Sequence, residues 1–280
     1  MKTVVILFAA ILLGSACNPK IADGVRKKDT KKDIEMVTDK GSVVLRLSDE
    51  TPQHRNNFIR LVKSAFYDSI LFHRVIKGFV VQTGDPRTKP SYSQTNTASY
   101  TIPAEFVPEL FHKRGALNAA RTGEETNPLQ ASSGTQFTVI QGKVYTDSMI
   151  EASEQRVTRM NATRMVFQDP ANKRLLDRLR EHTAAGDTAS AGMIRNQLDT
   201  LTSRKIREIP PFRFPPAHRK IYQTTGGAPH LDGNYTVFGE VVKGMEVVDS
   251  IAAVRTSRDR PVQDVRILKA RLIRRKARSY

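Results

Sequence analysis

The chain has 280 residues, enough for one large domain or two small ones, and an ordinary apolar and charged composition. Lysine and arginine total 45 against 28 acids, a net charge of +17, densest between Arg266 and Arg278. Such an excess suits a polyanion or an anionic surface. It is spread along the chain, however, without a recognition helix or an aromatic-basic sheet motif, so it reads as solvated surface and no nucleic-acid partner is expected. The six histidines lack metal-ligand spacing such as H-E-x-x-H, and neither a metal nor a cofactor is expected.

At the N-terminus Lys2 precedes an apolar run, Val4 to Leu13, and then Gly14-Ser15-Ala16-Cys17. The run is too short for a bilayer span, which takes about 20 residues, and fits a signal peptide over 1–16. Cys17 is the only cysteine, so no intramolecular disulfide can form, and a lone thiol in an exported chain needs a role. The small residues before it resemble a bacterial lipobox, in which the cysteine is lipidated and becomes residue one of the mature chain. Gly14 stands where a larger aliphatic residue is usual; the alternative is a plain secretory signal. After the lipid-attachment cysteine, the polar, patternless stretch to residue 33 reads as a flexible tether. The expected place is the bacterial cell envelope, lipid-anchored to a membrane through Cys17 and facing the periplasm, the outer membrane favoured over the inner.

Two short alternating runs then flank Asp39-Lys40-Gly41, a hairpin signal. Thr51 is placed as an N-cap with Pro52 at the first helical position, where a missing N–H is harmless. Phe58, Leu61, Val62 and Phe66 follow at helical spacing, predicting a helix to about Ser64. Phe72 to Asp85, "FHRVIKGFVVQTGD", supplies two strands around a Gly-Phe turn. Further strands are predicted at Gly115–Ala120, Phe137–Gln141, Val237–Val242 and from Val265 onward, with a second short helix over Gly244–Val254. Many short strands with two short helices argue for a closed antiparallel sheet, which leaves no exposed edges.

The segment 143–228 differs, being strand-poor. Three helical stretches fall at 149–168, 172–186 and 188–208, broken by Asp169-Pro170 and Ala185-Gly186. The proline-rich stretch Ile209–Lys220 is expected to leave helix altogether. The segment reads as a helical insertion between two strands, either docking another protein or packing on the sheet. A basic tail at 276–280 closes the chain.

With these elements in order, Phe-His-Arg, Gly-Phe and Gln-x-Gly-Asp in "FHRVIKGFVVQTGD" resemble the cyclophilin-type peptidyl-prolyl isomerase signature. Further blocks resemble the same family in the same order: "NNFIRLVKSAFYDSILFHRV", "GALNAAR", "SSGTQF" and "HLDGNYTVFGEVVKGMEVVDSI". The resemblance implies a mainly β fold: an eight-stranded closed antiparallel barrel over 34–142 and 229–275, capped by two helices. It also implies a shallow outer-face groove for proline-containing polypeptides and a cofactor-free cis–trans isomerisation of X–Pro bonds.

In that reading Arg74 is the catalytic donor, assisted by Gln82 and Phe79. A solitary arginine would read as a surface salt bridge; within this motif it points at the prolyl nitrogen. Phe79, Val80 and Leu231 are implied to surround the proline ring, with Phe137 either beside them or in the core. Gln82 and Gln136 are implied to hold substrate and orient Arg74, and Ala120 and Arg121 to line the groove through their backbone. The Tyr235 hydroxyl is placed to donate to a substrate carbonyl. Asp85 is expected to shape a turn, and His73 to be structural because no proton is transferred. Three departures stand out. Thr138 replaces a usual Phe at the slot floor, Arg121 replaces an Asn, and His230 replaces a Trp common in eukaryotic members. The main expectation is an isomerase assisting the folding of exported proteins; the alternative is a peptide-binding chaperone or scaffold with weak or no turnover.

Overall fold

The structure is a computed structural model that describes residues 20–22, 24–92 and 100–275. The expected signal peptide, Cys17 and the basic tail lie outside the described residues. β1 (Lys20–Ala22) pairs with β2 (Val25–Arg26), and then β3 (Lys32–Thr38) and β4 (Gly41–Leu47) form the expected hairpin, Ile34 opposite Leu45. The stretch before β3 departs from a flexible tether. Val25 is fully buried, and Asp29 joins Lys63 at 2.8 Å, so an apolar anchor and an ion pair fix it.

α1 (Pro52–Lys63) follows, its buried stripe including Phe58, Leu61 and Val62. Thr51 precedes it but makes no side-chain cap. Glu105 instead accepts from Gln53 N at 3.1 Å and His54 N at 3.0 Å, placing a carboxylate at the positive helix end. β5 (Arg74–Ile76), β6 (Val80–Thr83), β7 (Thr101–Ile102), β8 (Ala116–Ala119), β9 (Ser132–Ser133) and β10 (Phe137–Ile140) come next. The helical segment comprises α2 (Asp147–Gln168), α3 (Lys173–Ala184), α4 (Thr188–Glu208) and α5 (Pro216–Thr224). The chain closes with β11 (Val237–Lys243), α6 (Met245–Ala252), β12 (Thr256–Ser257), β13 (Arg260–Pro261) and β14 (Ile267–Arg274).

Eight strands make one antiparallel sheet in the order β14-β3-β4-β11-β8-β10-β6-β5. The sheet curls but is not a closed barrel, which corrects the sequence expectation. Its end strands β14 and β5 share no ladder; an isolated bridge, Leu71 to Arg266, and loop bonds such as Phe72 N to Val265 O (2.9 Å) span the seam. The outer edge of β5 is instead met by the β12–β13 turn, Val75 N donating to Asp259 O at 2.6 Å. The main core fills the concave side, where Phe58 packs edge-on against Phe137 at 5.0 Å and α6 buries Val248 and Ile251.

A second correction concerns residues 216–220, expected to be non-helical. Pro215 is the N-cap and Pro216 the first residue of α5, where proline's fixed φ suits a helix start. α5 and α2 enclose their own apolar cluster of Ile150, Val157, Phe214 and Tyr222, while α3 and α4 close another with Val166 and Phe167. At the junction Glu154, almost fully buried, accepts from Arg213 (2.6 Å), Arg219 (2.9 Å) and Phe214 N (3.0 Å). The segment therefore satisfies its apolar faces internally and against neighbouring loops.

Candidate active site

Strand alternation sorts the motif residues between two faces. On β6, β10 and β8, Val81, Val139, Phe137, Leu117 and Ala119 point into the main core. Their neighbours Gln82, Thr138 and Asn118 lie directly across from one another, Gln82 opposite Thr138 and Thr138 opposite Asn118. Phe137 is thus a core ring. Thr138 lies on the opposite face, buried, and donates its hydroxyl to the buried Asn118 Oδ1. Sequence reading placed Thr138 at the slot floor but did not find its partner, which comes from a neighbouring strand.

Arg74 opens β5 opposite Gln82. Its Nη1 donates to Gln82 Oε1 at 3.4 Å, and Gln82 Nε2 donates to Gln136 Oε1 at 3.1 Å. On its other side Arg74 Nε stands 3.5 Å from the carboxylate of Asp259, in the positive-φ turn between β12 and β13. Val75 N donates to the Asp259 carbonyl at 2.6 Å, tying that turn to the strand carrying the arginine. The Arg74 side chain remains 40% exposed, so part of its guanidinium is open to solvent. Asp259 lies far along the chain, and no spacing pattern in the sequence marks it.

Beside these polar groups, Val80, Leu231 and Val237 form an apolar patch with Ala116 and Ile140, and Phe79 and Tyr235 pack against it. The Phe79 ring lies 5.2 Å from the His230 ring, tilted by 33°. Burial, helped by the nearby positive charge of Arg156, pushes the His230 imidazole down to about 4, so it is neutral at ordinary pH. Leu231 and His230 belong to a short 3-10 turn, and the following Asp232 holds it in place. Asp232 accepts from His112 N (2.9 Å) and the Tyr222 hydroxyl (2.7 Å), and its carboxylate lies 2.7 Å from His112 Nδ1. Tyr222 belongs to α5, so the helical segment braces this wall of the groove.

Ala120 and Arg121 follow β8, half-buried. The Arg121 guanidinium is committed within the protein: Nε donates to Asn234 O at 2.8 Å, Nη2 to Glu124 at 2.7 Å, and its plane covers the Tyr235 ring at 4.4 Å. Its side chain is 1% exposed, closed off by these partners. Asp85 shapes the turn after β6 by accepting from Arg87 N at 3.0 Å. His73 Nδ1 is buried without a partner, and burial lowers that imidazole's proton affinity. Gly84 has φ of +91°, and a Cβ there would run into the Thr135 carbonyl, so the motif's glycine permits the close approach of the loop carrying Gln136.

A sequence profile of the family described as "Cyclophilin type peptidyl-prolyl cis-trans isomerase/CLD" matches residues 33–167 and 220–272, more than half of the chain. A relative from Staphylococcus haemolyticus, named among the peptidyl-prolyl cis-trans isomerases, is 28% identical over 240 residues, covering 85% of this chain and 89% of its own. Another from Staphylococcus saprophyticus, named in the same way, is 26% identical over 234 residues, with 83% and 87% covered. A solved cyclophilin-type isomerase from Cryptosporidium parvum shares the fold at 16% identity and a TM-score of 0.50, over 88% of this chain and 99% of that one. Together with the ordered motif blocks, the profile match gives the conclusion that this chain belongs to the cyclophilin-type peptidyl-prolyl cis-trans isomerase family.

Proposed function

We propose that the chain catalyses cis–trans rotation of X–Pro bonds in polypeptides laid along the groove beside Arg74. Breaking amide resonance costs about 18–20 kcal/mol. At the twisted midpoint the prolyl nitrogen loses conjugation and its lone pair becomes an acceptor. A guanidinium donor aimed there stabilises the midpoint more than either planar state, which is the requirement for catalysis. Gln82 and Asp259 hold Arg74 from both sides, and Gln136 extends the chain of hydrogen bonds. Phe79, Val80 and Leu231 offer the apolar wall for the ring, and no proton transfer is needed. The observation carrying this reading is Arg74 held between Gln82 and Asp259 at the edge of that wall.

The test is isomerisation of a short X–Pro peptide. Arg74→Ala is expected to lower kcat/KM by about 10²–10³. Equal rates for wild type and variant, both near the uncatalysed value, would sink the enzyme reading. One observation favours the second reading, a peptide-binding scaffold without turnover: Thr138 and Asn118 make the slot floor polar. Proline-peptide binding with no rate enhancement would establish it.

The site in the cell is part of the same proposal: export by the N-terminal segment, a lipid on Cys17, and folding clients in the periplasm. Membrane partitioning of Cys17→Ser tests the lipid. Release into the soluble fraction supports acylation, and unchanged partitioning opposes it.

A further inference from the structure

Strand pairing in two separate sheets sets basic residues side by side. Lys20 lies opposite Arg26, and Lys32 opposite Arg274. Arg275 Nη2 donates to Thr30 O at 3.4 Å, so the loop 27–31 and the last residues of β14 lie together. The carboxylates there are already matched: Asp29 by Lys63 at 2.8 Å, Asp33 by Arg46 at 2.8 Å and Arg275 at 3.2 Å, and Asp49 by Arg55 at 2.5 Å. Arg26, Lys27, Lys28, Lys32 and Arg274 make no ion pair among the described residues, and all but Lys32 are exposed. Arg26, Lys27, Lys28 and Arg274, with Lys32 only partly offset by Asp29, leave a positive patch, in contrast to the paired Arg271–Glu35 further along the same strands.

Two features of placement bear on what this patch meets. Residues 1–19 precede Lys20, and Lys20 pairs with Arg26, so the chain enters the described fold next to one of these cations. Arg74 follows Leu71, which bridges Arg266 just before β14, whereas Arg274 ends that strand; the two ends of β14 are roughly 25 Å apart along the strand at about 3.3 Å per residue. A surface touching the patch would leave the groove open to solvent.

We propose that this patch docks on an anionic phospholipid surface. Such a surface attracts basic residues held within a Debye length, and each contributes about fivefold in partitioning. A single acyl chain anchors only marginally, so the patch would be the second signal beside a lipid. The charge of the patch is independent of acylation and of the isomerase reading; the choice of a membrane as its occupant rests in part on the anchor proposed above.

The test uses the full chain carrying Cys17→Ser, so that no lipid contributes. Sedimentation with phosphatidylcholine vesicles is compared with and without phosphatidylglycerol, with isomerase activity read on the same samples. Binding is expected only with phosphatidylglycerol and is expected to weaken steeply with salt. Lys27→Glu, Lys28→Glu and Arg274→Glu combined should reduce it by about a hundredfold or more, with isomerisation unchanged. A control triple on the helical segment, Arg174→Glu, Arg178→Glu and Arg207→Glu, removes the same charge elsewhere and should change binding little. No binding to phosphatidylglycerol vesicles, or equal loss in both triples, overturns the proposal. So does tight retention of a DNA duplex at the same ionic strength with the vesicles ignored.

Discussion

Thr138 and Asn118 face each other on the groove side of neighbouring strands, each buried, each completing the other's hydrogen bonding. A phenylalanine at 138 would give a proline ring an aromatic floor but would leave Asn118 without this donor. Thr138→Phe is therefore expected to lower KM for an X–Pro peptide several-fold while destabilising the fold by about 1–3 kcal/mol. Steady-state kinetics and urea melts on one preparation check both parts. An unchanged KM would show that residue 138 does not floor the slot. Arg121 carries the opposite lesson. Its side chain is tied to Asn234, Glu124 and the Tyr235 ring, so its charge shapes the groove loop and is closed to a ligand.

Local signals place the ends of α1 well, because Pro52 and the apolar spacing act within a few residues of chain. Its cap is another matter. Thr51 has the right chemistry, yet its hydroxyl is buried without a partner, and Glu105 holds the first N–H groups. Glu105 is itself positioned by Thr236, whose Oγ1 accepts from Glu105 N at 3.0 Å. Thr51→Val is thus expected to be neutral or stabilising by up to about 1 kcal/mol, because it removes an unsatisfied hydroxyl. Glu105→Ala should cost about 1–2 kcal/mol. Chemical denaturation measures both, and the reverse order would return the capping role to Thr51. α5 shows the same limit from the other direction. Two adjacent prolines look like the end of helix, but a helix starting on them satisfies proline's geometry and brings Tyr222 to Asp232.

Four histidines, His54 buried and His73, His218 and His230 partly buried, bind protons less readily than free imidazole. Burial lowers His230 to about 4 and depresses His54, His73 and His218 in the same direction. The unfolded chain takes up these protons near pH 6.5 and the folded chain only at lower pH, so acid favours unfolding across that window. Stability is expected to be level above about pH 7 and to fall as pH drops from about 6.5 toward 4. Carboxylates come in later. Burial raises the Glu154 carboxyl, but Phe214 N–H, Arg213 and Arg219 together hold it below its usual range, adding an acid loss below about pH 5. Urea midpoints across pH 4–8 should show the slope, and His230→Gln should make it shallower between pH 6.5 and 4. An unaltered slope would remove His230 from this account.

The strands around "FHRVIKGFVVQTGD" and the hairpin at Asp39–Gly41 were legible in the sequence. They depend on period-2 alternation and turn chemistry, which neighbouring residues decide among themselves. Sheet closure, the Asp259 support of Arg74, the Asn118 partner of Thr138 and the bracing of Asp232 by Tyr222 were not legible. Each joins groups far apart along the chain, and their meeting depends on strand order and on how the sheet curls. The basic patch belongs with them: its residues come from both ends of the sequence, and only the pairing of Lys32 with Arg274 makes a scattered charge excess into one surface.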